Sequence, residues 1–407
     1  MYDLLLKGGT VIDPSQGLNE ALDVAISGNR ISHTAPSIPE QEAAKVVDVA
    51  GKIVAPGLID IHTHIYHPGR NWNHPDVAGV RAGVTTIADA GGPGSADFED
   101  FCDYVLTKAE TKVYSFLSIF RERSLGAPPQ ESEMDVDGVI RIARDNPEVV
   151  KGVKVIVAPR TVQSLGLKHV EASKRAAREG GIRIMMHIGD IGPKGQTPTP
   201  PEVVAQALAM LDPGDAVTHV FTPLTGAALD ENDQLLSELR EAQERGVFID
   251  TSYGDFNFGW ERADTVLAQG LKPDTIATDI EIHAGDGMRK LSERGLLEYT
   301  AFFLEMGFSL EDVIRMTTAT PARYLGIEDR AGSLAVGREA DVSVLELVEG
   351  CWQLTDATGE SRIGSQALVP VVTLKSGRVI EPGEAPHSWG WTPPTAVEGV
   401  ASVGDGS

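Results

Sequence analysis

Residues 54–64 read Val54-Ala55-Pro56-Gly57-Leu58-Ile59-Asp60-Ile61-His62-Thr63-His64, an apolar run that leads into a pair of histidines. The run Leu58–Ile61 predicts a buried β-strand with the histidines at its carboxyl end. Because side chains two residues apart on a strand point to the same face, His62 and His64 can aim at one point. Imidazoles in this arrangement suit a divalent metal ion, although two ordinary surface histidines would give the same pattern.

Similar apolar runs recur along the middle of the chain and alternate with helical stretches. This alternation is typical of a parallel α/β fold, in which the strands are buried on both faces. Units of roughly 30 residues, each a strand followed by a helix, match the size of a (β/α)8 TIM barrel. The predicted strands are Leu58–Ile61, Thr85–Ala88, Tyr114–Ser118, Gly152–Ile156, Arg183–Met186, Ala216–His219, Val247–Asp250 and Thr275–Thr278.

Both ends of the chain differ from this middle part, because they consist of short β-type runs separated by glycine turns. We therefore expect a small β-sandwich domain formed by both chain termini, over residues 1–55 and 331–385. The (β/α)8 barrel is expected over residues 56–330. Residues 386–407 are rich in glycine, proline, serine and threonine, which predicts a loose C-terminal tail.

The composition limits the classes of partner. Of the 407 residues, 59 are acidic and 35 are lysine or arginine, which gives a formal charge of −24. Such a surface repels nucleic acid and anionic membranes, so we expect a small-molecule substrate and neither of those partners. Two cysteines, the absence of a signal-peptide pattern and the lack of a long apolar run favour a cytoplasmic protein. A homo-oligomer is compatible with the sequence.

Four further polar residues interrupt or end predicted strands, at intervals of one, one and two strand–helix units: Lys154, His187, His219 and Asp279. The carboxyl ends of the strands of a TIM barrel converge on one site. We therefore predict a dinuclear metal centre whose ligands are His62, His64, Lys154, His187, His219 and Asp279. Zinc is the favoured ion, and manganese, iron or cobalt would also suit these ligands. His169 lies away from any strand end and is expected to be exposed to solvent.

Lys154 needs a chemical reason to be a ligand. An amine buried in an apolar strand is costly as a cation, so burial favours its neutral form. A neutral amine can add carbon dioxide and become a carbamate, here N6-carboxylysine, whose two oxygens can bridge two metal ions. The alternative is a lysine that pairs with Asp279 or a nearby acid. Lys151 lies on the opposite face of the strand and is the less suitable candidate.

Two metal ions of this kind can share a hydroxide and polarise a carbonyl oxygen. Asp279 is the predicted catalytic residue, because a carboxylate facing the hydroxide can take its proton and pass it to the leaving group. The expected reaction is hydrolysis of an amide or an ester without a covalent enzyme intermediate.

The chain resembles the amidohydrolase superfamily, in the subtype with a carboxylated lysine and two metal ions. The six predicted ligands match that subtype one by one, and residues 7–12, 54–60, 320–326 and 337–341 resemble its terminal segments. Within the superfamily, the sequence is similar to dihydroorotase-like bacterial deacetylases. The resemblance implies a metal-dependent hydrolase acting on a small acylated amino or hydroxy acid.

The loops after the seventh and eighth predicted strands depart from that group. It carries a Gly-His pair followed by glycines where this chain has Thr251–Asp255. It also has a histidine directly after the aspartate of strand eight, whereas here Ile280, Glu281 and Ile282 separate Asp279 from His283. Four residues that follow predicted strands on the side of the site are candidate substrate contacts: Arg70, Arg160, Tyr253 and His283. An arginine suits a carboxylate because its guanidinium binds two oxygens at once.

Three other functions remain open. The first is a cyclic amidase of the hydantoinase, dihydropyrimidinase or dihydroorotase kind, although the position of Arg70 does not match the arginine of dihydroorotases. The second is a mononuclear deaminase, which would leave Lys154 without its bridging role. The third is a catalytically inactive scaffold, which the presence of all six ligands disfavours.

Overall fold

The computed structural model describes residues 1–66, 74–122, 128–191, 196–254, 256–281 and 295–383. The predicted substrate contacts Arg70 and His283 and the predicted tail over residues 386–407 lie outside the described residues. Within these ranges, every helix is too short or too polar to cross a lipid bilayer.

Strands occur at both ends and throughout the middle of the described part of the chain. They are β1 (Tyr2–Lys7), β2 (Thr10–Asp13), β3 (Leu18–Ala21), β4 (Asp23–Ser27), β5 (Arg30–Ala35), β6 (Ala43–Asp48), β7 (Ile53–Pro56), β8 (Leu58–His64), β9 (Val84–Ala90), β10 (Lys112–Ser118), β11 (Val150–Val157), β12 (Arg183–Ile188), β13 (Ala216–Thr218), β14 (Phe248–Ile249), β15 (Ile280–Glu281), β16 (Val342–Thr355), β17 (Ser361–Lys375) and β18 (Arg378–Ile380).

The α-helices lie between and after the central strands. They are α1 (Phe98–Phe101), α2 (Val136–Asp145), α3 (Pro159–Leu165), α4 (Lys168–Gly180), α5 (Pro201–Ala209), α6 (Ser237–Glu244), α7 (Trp260–Ala268), α8 (Leu296–Glu305), α9 (Leu310–Thr317) and α10 (Ala319–Leu325).

The central sheet has eight parallel strands in the order β14-β13-β12-β11-β10-β9-β8-β15. Its two ends approach each other, because β15 pairs with β8 and a parallel bridge joins Asp250, just after β14, to Thr275. The strands follow the chain order around the ring and alternate with helices. The predicted (β/α)8 barrel is therefore confirmed.

Two predicted strands are wrong in extent. The sequence predicts Ala216–His219 as one strand, but β13 ends at Thr218 because His219 has φ +73°. Thr275–Thr278 forms only a bridge at Thr275, and the eighth ladder strand is Ile280–Glu281, after Asp279 at φ +56°. A positive φ takes a non-glycine residue out of the β region, so each of these strands is interrupted at a predicted site residue.

The termini form two further sheets. One has the strand order β5-β4-β1-β6, and the other has the order β18-β17-β16-β7-β2-β3. Leu6 and Ile26 of the first sheet share one apolar cluster with Val54, Val342 and Leu374 of the second. This confirms a β-rich unit built from both ends of the chain. Its predicted bounds, residues 1–55 and 331–385, stay a prediction.

Strand alternation places one predicted ligand on the inside of the barrel. On β11, Val153 and Val155 belong to the main apolar core that also contains Val170 of α4. Lys154 lies between the two valines and therefore points to the opposite face. Its Nζ lies 3.5 Å from Sδ of Met185, which belongs to a separate apolar cluster inside the barrel.

Candidate active site

The carboxyl ends of the barrel strands bring all six predicted ligands together. We call them the six-residue cluster: His62, His64, Lys154, His187, His219 and Asp279. Each of their side chains is buried or nearly so. The rings of His62 and His219 have centroids 5.0 Å apart, and those of His187 and His219 are 4.3 Å apart. The cluster is therefore continuous across the barrel mouth.

The carboxylate of Asp279 is the centre of this cluster. Its Oδ1 lies 3.2 Å from Nε2 of His62 and 2.9 Å from Nε2 of His64. Its Oδ2 lies 3.9 Å from Nε2 of His219. One ligand atom from each of His62, His64 and Asp279 falls within 4.8 Å of the others, so these three residues could hold a metal ion.

Hydrogen bonds outside the cluster fix which nitrogen faces it in three of the four histidine rings, those of His62, His187 and His219. His62 Nδ1 donates to Oγ of Ser252 at 2.8 Å, and that hydroxyl donates to Asp250. His219 Nδ1 donates to the backbone oxygen of Ser252 at 2.9 Å, and His187 Nε2 donates to that of Gly189 at 3.1 Å. Such outer contacts set the tautomer of a metal-ligating histidine.

The donors fit a metal ion in two further respects. Among the described residues, Nε2 of His219 is buried without a hydrogen-bond partner, although its ring is held in place from the other side. Burial lowers the pKa of His187 to about 3 and holds the pKa of His219 well below its usual range. Both rings are therefore neutral at pH 7, and neutral imidazole is the form that binds metals.

Burial tends to raise the pKa of Asp279, but the adjacent His62 and His64 hold it well below the usual range for a carboxyl. The backbone is also held, because Asp279 N donates to the oxygen of His62 at 2.7 Å. Asp60 braces the same junction by accepting hydrogen bonds from Thr278, at 2.6 Å to the hydroxyl. Positive φ at His219 and Asp279 is strain of the kind that clusters at functional sites.

A cavity of about 350 Å³ opens at the cluster. Arg160, Glu281 and Phe256 line it, and the role of Arg160 as a substrate contact stays a prediction. Tyr253 does not lie on its wall: its hydroxyl donates to the oxygen of Thr355 at 2.8 Å and its ring packs against Phe258. The role of Tyr253 as a substrate contact stays a prediction that this geometry does not favour.

Sequence reasoning missed three residues that act on the cluster. Asp250 and Ser252 orient His62, and Asn257 donates from Nδ2 to Oδ2 of Asp279 at 3.1 Å. Asp250 ends an apolar predicted strand, so the pattern that identified His187 and His219 could have found it. Asn257 lies in a loop, where no strand or helix periodicity marks it.

Known proteins resemble this chain along most of its length. A sequence model of the amidohydrolase family matches residues 53–381. A protein named deacetylase from Agrobacterium fabrum is 27% identical over 348 residues, which cover 83% of this chain and 81% of that protein. A dihydroorotase from Syntrophotalea carbinolica is 28% identical over 407 residues, which cover 88% of this chain and 92% of that protein.

A solved structure resembles this chain in its fold over a similar extent. The crystal structure of an adenine deaminase superposes with a TM-score of 0.81 and 26% sequence identity, and the match covers 94% of this chain and all of that one (100%). The superposition therefore includes both the barrel and the terminal sheets.

Proposed function

Because the chain belongs to the amidohydrolase family, we propose that it is a metal-dependent hydrolase that deacylates a small acylated amino or hydroxy acid. The observation that carries the proposal is the contact of Asp279 with both His62 and His64 at the floor of a substrate-sized cavity. The relative named deacetylase supports the choice of reaction.

The six-residue cluster would hold two divalent ions, with zinc as the first choice and manganese, iron or cobalt as alternatives. His62, His64 and Asp279 form one donor group, and His187 and His219 contribute neutral imidazoles to the other. Lys154 would join them as N6-carboxylysine, which adds two oxygens to a nitrogen-rich set. The ions would supply polarisation of the substrate carbonyl and activation of the attacking water.

Asp279 is the proposed acid and base. Its carboxylate lies on the wall of the cavity beside His62 and His64, where it would accept the proton of the attacking water. It then delivers that proton to the leaving nitrogen or oxygen, which lets the acyl bond break without a charged leaving group. Arg160 on the cavity wall would bind the carboxylate of the substrate through its guanidinium.

A second candidate function is a cyclic amidase, which opens a ring by the same hydrolysis. The dihydroorotase that is 28% identical along 92% of its length favours it. An inactive scaffold is disfavoured, because it would not account for the positive φ at His219 and Asp279 or for the buried Nε2 of His219, which has no hydrogen-bond partner in the described part of the chain.

The test uses the metal-loaded protein with a pool of N-acetyl amino acids, O-acetyl hydroxy acids and cyclic ureides, followed by mass spectrometry. Loss of an acyl fragment from a pool member supports the deacylase. Gain of one water by a ring compound supports the cyclic amidase. If the metal-loaded protein changes no member of the pool, the proposed substrate class is wrong.

A further inference from the structure

Asn257 occupies a position beside the catalytic carboxylate. The residue is 1% exposed and contributes to the wall of the site cavity. Its Nδ2 donates to Oδ2 of Asp279 at 3.1 Å. Its Oδ1 is buried and has no hydrogen-bond partner among the described residues. A buried amide oxygen that accepts nothing is costly, so a ligand that donates to it gains affinity.

The loop around Asn257 is built to hold this orientation. Asn257 N donates to the oxygen of Tyr253 at 2.9 Å, and Gly254 N donates to that of Thr278 at 2.7 Å. Gly254 has φ +51°, and a Cβ there would lie 2.5 Å from Oδ2 of Asp279 and 3.1 Å from Nδ2 of Asn257. A glycine is therefore required where the amide and the carboxylate meet.

The chemistry of Asp279 decides which end of the Asn257 amide faces it. A carboxylate only accepts, so the NH₂ group of Asn257 faces Asp279 and the oxygen is left for another donor. The leaving atom of the substrate must come within hydrogen-bond reach of Asp279 to receive its proton. That atom is then also next to the amide of Asn257.

The two possible leaving atoms differ in what they offer at this point. The nitrogen of a secondary amide carries an N–H that needs an acceptor. The oxygen of an ester carries only lone pairs, which the Oδ1 of Asn257 would repel. The geometry therefore favours amide substrates over ester substrates, both of which the proposed function leaves open.

Resting on the proposed hydrolase, we propose that Asn257 is a specificity-determining residue that selects amides over esters. Its Oδ1 accepts the N–H of the scissile bond while its Nδ2 holds Asp279. The substrates would then be N-acyl amino acids or other secondary amides of small acids, rather than O-acyl hydroxy acids.

The experiment measures kcat/KM for an N-acetyl amino acid and for the O-acetyl hydroxy acid of the same carbon skeleton. The variants are Asn257→Ala and Asn257→Leu, the second of which keeps the size of the side chain without its polar atoms. Any change in the placing of Asp279 affects both substrates and cancels in the amide-to-ester ratio. We expect this ratio to fall about tenfold in both variants, the effect of one lost hydrogen bond.

The control variant is Asn146→Ala, because the Asn146 amide donates to the oxygen of Ile142 at the end of α2, away from the cavity. The amide-to-ester ratio of kcat/KM for Asn146→Ala should equal that of the wild type. Metal content is measured for every variant, since Asn257 is not a proposed ligand and its loss should leave the metal content unchanged. An unchanged ratio in folded, metal-replete Asn257 variants would overturn the inference.

The wild-type protein provides a test that needs no variant. Esters are intrinsically easier to hydrolyse than amides, so a wild-type preference for the amide supports selection by the site. A protein that hydrolyses neither compound contradicts the proposed function. Failure of the proposed function is therefore distinguishable from failure of the selection by Asn257.

Discussion

Lys154 Nζ lies 2.7 Å from Nε2 of His62, although 92 residues separate them along the chain. The contact joins β11 to β8 across the inside of the barrel, where both side chains are buried. It places a lysine amine among imidazoles that are held by outside hydrogen bonds. The proposal of a carboxylated lysine explains why Lys154 is buried beside His62. A role at the protein surface would not explain this burial.

Replacing Lys154 tests that role. We expect Lys154→Ala to lose most of its bound metal and at least about a hundredfold in kcat, because the proposed N6-carboxylysine would supply two of the metal-ligating oxygens. Lys151→Ala is the matched control, since the Lys151 amine donates to the oxygen of Pro147 at 2.9 Å, outside the cluster. Metal analysis and kinetics on both variants give the answer, and an active, metal-replete Lys154→Ala protein would refute the bridging role.

Asp279→Asn tests the proton transfer. The variant keeps the shape of the side chain but cannot carry the proton, so kcat should fall about 10²- to 10⁴-fold. Asp233→Asn is the matched control, because Asp233 has φ +55°, close to the +56° of Asp279, but lies on the surface. Its kcat should be unchanged. Near-wild-type turnover by a metal-loaded Asp279→Asn enzyme would contradict the assignment.

Gly254→Ala tests the close approach at the carboxylate. The added Cβ would meet Oδ2 of Asp279 at 2.5 Å, so Asp279 must shift and kcat/KM should fall at least about tenfold. Gly181→Ala separates this clash from backbone strain: Gly181 also has a positive φ, +67°, but a Cβ there meets nothing within 4 Å. Both variants should lose about 1 kcal/mol of stability. Equal activity in the two would show that the contact with Asp279 is unimportant.

His169 makes stability depend on pH. Burial lowers its pKa to about 4, below the value of about 6.5 for an unfolded chain. Between these values the unfolded chain binds the extra proton, so the stabilisation is present above pH 6.5 and is lost as the pH falls towards 4. His169 should therefore contribute an increase of up to about 1.4 kcal/mol per pH unit to the unfolding free energy in this window, while the raised pKa values of Asp60 and Asp215 act in the opposite direction. Urea unfolding of His169→Gln should show a slope smaller by this amount, and an identical slope would contradict the prediction.

Local patterns in the sequence were sufficient to predict much of the fold. Apolar runs at regular intervals predicted the barrel, and a single polar residue within such a run located Lys154 on β11. The same logic failed for the extent of the eighth strand, because the positive φ at Asp279 is imposed by contacts with β8 that have no local signature. Site residues that interrupt a strand can therefore be found from sequence, but the strain they carry cannot.

Tertiary packing determines the positions of the residues that the sequence analysis misplaced or missed. The sequence predicts His169 in solvent, yet it is fully buried where α4 packs on β11, and its Nε2 bonds the oxygen of Ile156 at 3.0 Å. The ring of Tyr253 is held in an aromatic cluster with Tyr299 and Phe302 rather than at the cavity. Asn257 reaches Asp279 only because a loop folds back. Each of these outcomes depends on elements that are distant in the chain.

Removal and restoration of metal, followed by assay on the acylated acid found in the pool, tests the central proposal most directly. We expect chelation to abolish hydrolysis, and zinc or manganese to restore it in parallel with two bound ions per chain. Hydrolysis that survives complete removal of metal would contradict the metal-dependent mechanism, because Asp279 and its histidines would then be doing chemistry of another kind.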